Sequence, residues 1–158
     1  IMNGVEKYMV LQEKYIFIDK DLKSKEEVLN FIADSAYILG ITTNKEALLK
    51  DLLKRENEFP TGIKDGFAIP HTKSVNVKEA SILYIKTTNE LEWKTLDDSK
   101  VRYVFSLLAP HKNEGNIHLK TLSKLATCLM EDDFTSEVKN ASDASHLVKY
   151  ITNKMKEE

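Results

Sequence analysis

Val101-Arg102-Tyr103-Val104-Phe105-Ser106-Leu107-Leu108-Ala109-Pro110 is nearly continuous apolar sequence, with Arg102 and Ser106 as the exceptions. Such a run suits a central strand. Proline has no amide proton to give a ladder, so the strand should end at Pro110. Around it, Tyr15-Ile16-Phe17-Ile18 reads as a strand ending at Asp19, and Ala80 to Lys86 as another. Gly66 to Ile69 suits a short strand that delivers His71 at its edge. Helical patterning separates these pieces. Ser24-Lys25-Glu26-Glu27 is a capping box, followed by a stripe of Val28, Leu29, Ile32, Ala33 and Ala36, with Gly40 as a stop. Thr43-Asn44-Lys45-Glu46 repeats the box ahead of a helix predicted to reach Arg55 or Glu56. Ile117 to Met130, Phe134 to Asn140 and Ala144 to Met155 have helical spacing, and residues 57–66 read as a loop because Pro60, Gly62 and Gly66 interrupt both periods. Two helices after the first strand, then strands, then closing helices: that order predicts an α/β sheet covered by helices.

The 158 residues suit one domain with a single sizeable core. Apolar content is 42% and the net charge is -2, which gives nucleic-acid binding little support. The apolar runs are far shorter than a membrane span, and the start has no signal-peptide pattern. One cysteine, Cys128, excludes an intrachain disulfide; a cytoplasmic location is the expectation. Ile1 to Gln12 form a mixed lead-in, and the charged residues from Lys154 to Glu158 are expected to fray.

The chemistry is sparse. There is no GxxxxGK[ST] loop, no HExxH pattern and no second thiol for Cys128. Asp97-Asp98 reads as a turn. That leaves the histidines. His71 is either a turn residue satisfied by backbone groups or a nucleophile held in place by Pro70, which fixes its own φ and drives Ile69 toward extended geometry. A neutral imidazole is a competent nucleophile near neutral pH. His118 opens an apolar-periodic helix, inert and half exposed or a donor to an anion at the positive helix end. Arg55 ends a helix, where any cation is favoured; its planar fork can also grip two oxygens, with Lys54 beside it. Thr61 and Thr72 offer hydroxyls for the same anion, or for turns. His111 is expected in solvent and His146 at the surface of the last helix.

Several of these segments together resemble one family. Ile16-Phe17-Ile18-Asp19, the helix start at Ser24, Lys45-Glu46-Ala47-Leu48-Leu49, Leu53-Lys54-Arg55-Glu56, Thr61-Gly62-Ile63, Gly66-Phe67-Ala68-Ile69-Pro70-His71, the Val101–Pro110 strand and His118-Leu119-Lys120-Thr121-Leu122 occur in the right order and separation. They resemble the enzyme IIA domain of the bacterial phosphoenolpyruvate-dependent sugar phosphotransferase system, fructose/mannitol type, over about residues 15–151. Glu58-Phe59-Pro60-Thr61-Gly62 and Ala68-Ile69-Pro70-His71-Thr72 are more similar to the galactitol-type branch.

The resemblance implies a three-layer mixed β-sheet flanked by helices, the phosphotransferase/anion-transport-protein-like fold, with residues 1–158 as one phosphocarrier domain. It implies that His71 takes a phosphoryl group from phospho-HPr and passes it to an enzyme IIB working with membrane enzyme IIC, while His118 and Arg55 orient or neutralise the phosphate. It implies no cofactor or metal, no nucleic acid and no membrane insertion of this chain. A nitrogen-type signalling module using the same phosphohistidine, or a scaffold without chemistry, are the alternatives. Phe59, Phe67 and Ile69 are the residues expected to be exposed for docking.

Overall fold

The computed structural model describes residues 7–112 and 116–157. The first six residues of the lead-in, the loop residues just before Asn116 and the terminal Glu158 lie outside the described residues. In chain order the elements are β1 (Leu11–Lys20), α1 (Lys25–Ile38), α2 (Lys45–Glu58), β2 (Phe67–Ala68), β3 (His71–Ser74), β4 (Ser81–Leu91), β5 (Val101–Pro110), α3 (Ile117–Cys128), α4 (Asp132–Asn140) and α5 (Ala144–Lys156).

β5 is the organising strand. One edge pairs antiparallel with β4, and the other pairs in parallel with β2 and then β3; β1 completes the sheet parallel to β4. The sheet is therefore mixed. Side chains of β5 alternate between two cores, as strand geometry demands. Val104 and Leu108, with Leu83 and Ile85 of β4, meet Val28, Leu29 and Ile32 of α1 and Leu48 and Leu52 of α2. Phe105 and Leu107, with Ile82 and Tyr84 of β4, meet Leu125 of α3, Phe134 and Val138 of α4, and Leu147 and Ile151 of α5. Three layers result, matching the expected architecture. Each large apolar side chain so buried contributes about 1.5–3 kcal/mol.

Local chemistry sets the element ends. Ser24 Oγ accepts from the Glu27 amide at 3.1 Å, while Glu27 Oε1 reaches back to the Lys23 amide at 3.0 Å. The second cap sits one residue later than the box pattern predicts: Asn44, not Thr43, accepts from the Ala47 amide, at 3.1 Å. Gly40 follows α1 with φ 78°, a left-handed conformation that favours glycine. Helix α2 continues to Glu58, so Asn57 and Glu58 belong to it and not to the loop.

The expected delivery of His71 is altered. β2 stops at Ala68 and His71 begins a separate strand, because Ile69 leaves the ladder and Pro70 has no amide proton. The Ile69 amide instead donates to the Thr61 carbonyl at 3.0 Å, and Gly62 bridges Ala68. The 61–63 segment thus runs along the outer edge of β2.

Candidate functional site

The two helical layers meet at the outer edge of β3. Residues on β3 alternate: Ser74 donates its hydroxyl to Asp51 of α2, so Ser74 and Thr72 face that helix, while His71 and Lys73 face the α3 side. Asp51 also accepts from the Asn76 side-chain amide at 2.8 Å, which ties α2 to the end of β3. One helical turn after Asp51 comes Arg55. From the opposite layer comes the first turn of α3, with His118. A cleft of about 360 Å³ opens between them, lined by Arg55, His71, Thr72, Lys73 and His118 among others. Lys54 joins them at the rim. His71 and His118 also share a smaller cavity with Leu107 and Leu122.

The His71 ring is oriented by backbone. Its Nδ1 lies 2.7 Å from the Ile69 carbonyl oxygen. A carbonyl only accepts, so Nδ1 carries the proton and the lone pair is on Nε2. Burial holds the imidazole below the ordinary histidine value of 6.5; the Arg55 and His118 charges push the same way, against the Ile69 hydrogen bond and the Glu56 carboxylate. Burial, then the Lys73 ammonium, lowers His118 as well. Both rings are thereby kept neutral near pH 7.

The His71 ring, followed by proton NMR of its Cε1–H, titrates with a midpoint below 6.5; a midpoint above that value would contradict the desolvated site. The unfolded chain protonates first as pH falls. The stability this group contributes is thus complete above about 6.5 and declines below it, toward the folded midpoint.

Arg55 Nη1 donates to the Phe59 carbonyl at 2.8 Å, which caps α2 and steadies the guanidinium. Among the described residues Arg55 forms no ion pair. Its fork remains a cation at the cleft; the Asp51 and Glu58 carboxylates that also line it are not within ion-pair distance of it. Asn116, in a left-handed conformation at φ 54°, gives α3 no side-chain capping bond, so the positive end of that helix also lies beside the cleft. The arrangement suits a small polyanion next to a neutral imidazole.

Other sequence candidates lie elsewhere. Thr61 is a correction: its hydroxyl donates to Glu56 Oε1 at 2.6 Å inside the protein and does not line the cleft. Thr72 is buried at the cleft wall. Phe67 and Ile69 are not exposed docking residues; they are 0% and 2% exposed. Phe67 stacks on Tyr103 and Phe105, with ring centroids 5.0 and 6.3 Å apart. Phe59 is 64% exposed beside Arg55. Leu119, in the segment read from sequence as an apolar-periodic helix, is 53% exposed at the cleft. His111 is exposed, and His146 pairs with Glu137 at 2.6 Å on the surface. Cys128 is buried.

Two residues escaped the sequence reading, Asp51 and Glu56. Glu56 is 2% exposed. A signal existed: Leu48, Leu52 and Glu56 are spaced by four, so the acid sits on the buried stripe of α2. A second, more apolar cavity of about 230 Å³ lies between the start of β1 and α5; among the described residues its walls carry no histidine, carboxylate or thiol. No helix among the described residues is long and apolar enough to cross a membrane.

The sequence and the fold are similar to those of known proteins. A fructose-specific EIIA component of Haloferax volcanii is 29% identical over 126 residues, 80% of this chain and 81% of its own length. A multiphosphoryl transfer protein of Shigella flexneri is 30% identical over 89% of this chain, but this chain spans only 17% of that protein. Among solved structures, the nitrogen regulatory protein IIA-Ntr of Neisseria meningitidis superposes with a TM-score of 0.81 at 26% identity, covering 89% of this chain and 94% of its own. The mannitol IIA of Escherichia coli has the same fold, with a TM-score of 0.72 at 19% identity over 88% of this chain and 96% of its own. The family model for the phosphoenolpyruvate-dependent sugar phosphotransferase system, EIIA 2, matches residues 9–154, which takes in the whole sheet, the cleft and all but the end of α5, and this chain belongs to that family.

Proposed function

We propose that this chain is a cytoplasmic phosphocarrier that receives a phosphoryl group on His71 Nε2 from the phosphohistidine of HPr and passes it to an enzyme IIB, whose membrane partner IIC carries the sugar. The observation that carries this reading is the Nδ1 contact to the Ile69 carbonyl, which leaves Nε2 as the only unprotonated ring nitrogen. In the forward step the Nε2 lone pair forms a bond to phosphorus while the donor's phosphorus–nitrogen bond breaks, and the donor nitrogen leaves with that electron pair. His71 keeps its Nδ1 proton throughout. The ring gains positive character as it is phosphorylated, and the Ile69 carbonyl stabilises it through the same hydrogen bond. Arg55, Lys73 and His118 supply charge and donors to the phosphoryl oxygens. Transfer of this kind requires position more than a strong base.

The sugar never meets this chain, so its identity is read only from family branch. The Phe59-Pro60-Thr61-Gly62 turn favours the galactitol-like branch over fructose or mannitol. The similarity to a nitrogen regulatory IIA supports a second reading, in which the same phosphohistidine is a signalling switch. The test is incubation with phospho-HPr, intact-mass analysis, and then addition of a galactitol-type IIB. Gain of one phosphoryl group followed by its loss to IIB supports transport; gain without loss to IIB supports the switch; no gain rejects both.

Arg55→Ala is expected to slow acceptance by up to about a hundredfold, because Lys73 still supplies charge and the neutral His118 a hydrogen-bond donor. Quenched-flow acceptance from phospho-HPr measures it, and an unchanged rate would remove Arg55 from the site.

A further inference from the structure

Glu56 takes no part in the transfer step, yet three donors converge on its buried side chain. The Thr61 amide lies 2.8 Å from Oε2, the Thr61 hydroxyl 2.6 Å from Oε1 and the Trp93 indole N–H 3.0 Å from Oε2. Among the described residues no lysine or arginine pairs with it. Burying a carboxylate without a cation is costly, and an apolar side chain would fit the Leu48–Leu52 stripe at lower cost. What the acid does is fix Thr61, and two chains of contacts leave Thr61. In one direction the loop runs back to the Phe59 carbonyl, which accepts from Arg55 Nη1 at 2.8 Å. In the other, the Thr61 carbonyl accepts the Ile69 amide at 3.0 Å, and the Ile69 carbonyl accepts His71 Nδ1–H at 2.7 Å.

We infer that Glu56 is a positioning residue for phosphoryl transfer: by clamping Thr61 against Trp93 it orients both the Arg55 guanidinium and the proton-bearing side of His71. This rests on the transfer reading above. Glu56→Gln is nearly isosteric, but its NH₂ must meet one of three donors, so the clamp loosens. Thr61→Val removes one donated bond and keeps the shape; Thr61→Ser keeps the hydroxyl.

The experiment combines single-turnover acceptance from phospho-HPr, emission of Trp93, which is the only tryptophan, and ¹⁵N NMR of the His71 ring. Glu56→Gln and Thr61→Val are expected to lower the transfer rate at saturating donor by about tenfold, with little change in the half-saturating donor concentration. Thr61→Ser recovers most of the rate. Glu56→Gln shifts Trp93 emission and the His71 tautomer balance away from Nδ1–H. Combined with Arg55→Ala, Glu56→Gln costs less than the product of the two single effects. Unchanged saturating rates with only a lowered melting temperature, or fully multiplicative effects in the double variant, would overturn the inference. If the wild-type chain accepts no phosphoryl group, the parent reading fails by itself. The positioning role is then judged on the tautomer alone: a shift in Glu56→Gln upholds it, and an unchanged tautomer sinks it.

Discussion

His71→Ala abolishes phosphoryl acceptance and leaves the domain folded. The first half of this expectation follows from the ring's singular position. Nε2 of His71 is the lone pair presented to the cleft from the β3 edge with its partner nitrogen already protonated. His118 cannot replace it. It enters from α3 on the other side of the cavity, where in the proposed reading it faces the phosphoryl oxygens and not the donor's phosphorus–nitrogen bond. The fall should exceed about a thousandfold, the scale on which loss of a nucleophile shows in covalent catalysis. The second half follows from exposure. The ring is only half-buried, and it gives the fold one hydrogen bond, worth about 1 kcal/mol net. Removing it also removes a desolvated imidazole, which offsets part of that loss. Intact-mass analysis after exposure to phospho-HPr, beside a thermal melt, measures both. An undiminished mass gain in the variant would move the phosphoryl site elsewhere.

Much of this fold is legible in the sequence because its period-2 and period-3.6 segments are long and well punctuated. The Val101–Pro110 run announces the central strand, and the serine box before Glu27 places α1 to the residue. Legibility fails where burial is one-sided or absent. β1 begins at Leu11, four residues before the Tyr15 start read from sequence, because Gln12, Glu13 and Lys14 are exposed on an edge strand and carry no alternation. β4 runs on to Leu91, past the Lys86 end read from sequence, because Thr88, Asn89 and Glu90 are polar and give no apolar signal, although the strand lies inside the sheet between β1 and β5. Neither segment looks like a strand until a neighbour supplies the ladder.

The site divides along a similar line. His71, Arg55 and His118 stand out from local chemistry and from order along the chain, and the structure brings all three to one cleft. Their convergence depends on strand order, with β3 on the far side of β5 and helices of opposite layers meeting at its edge. No local pattern encodes that order. The docking expectation erred for a related reason. Phe67 and Ile69 precede the nucleophile in sequence, but both side chains turn inward to the Tyr103 and Phe105 layer; of the three expected residues Phe59 is the exposed one, and Leu119 is exposed with it. Asp51 is invisible as a site residue because acids on a helix usually face water, and Glu56 is marked only by its place on the Leu48–Leu52 stripe; the fold supplies the donors that both acids meet.

Gly62→Ala is expected to destabilise the protein by about 3 kcal/mol, more than a hundredfold in the folding equilibrium. Glycine is required here by proximity. A Cβ at Gly62 would lie 2.3 Å from the Lys94 carbonyl oxygen and 2.6 Å from Thr95 Cγ2. The first contact is backbone, so no rotamer relieves it, and the 94–96 segment is itself pinned by the Leu96 amide donating to the Ile63 carbonyl at 2.7 Å. Gly40 offers the contrast: it has φ 78° but nothing within 4 Å of an added Cβ, so alanine there costs only the left-handed conformation, about 1 kcal/mol. For a chain of this length the Gly62 change corresponds to a drop of roughly 6–12 °C in melting temperature. The strain falls on the segment that joins Thr61 to Ala68, so the transfer rate of the folded fraction should fall as well, with His71 and Arg55 both untouched. Calorimetry on Gly62→Ala and Gly40→Ala side by side checks the argument; equal melting temperatures for the two variants would show that the 61–63 edge yields freely and that the rigidity ascribed to it is absent.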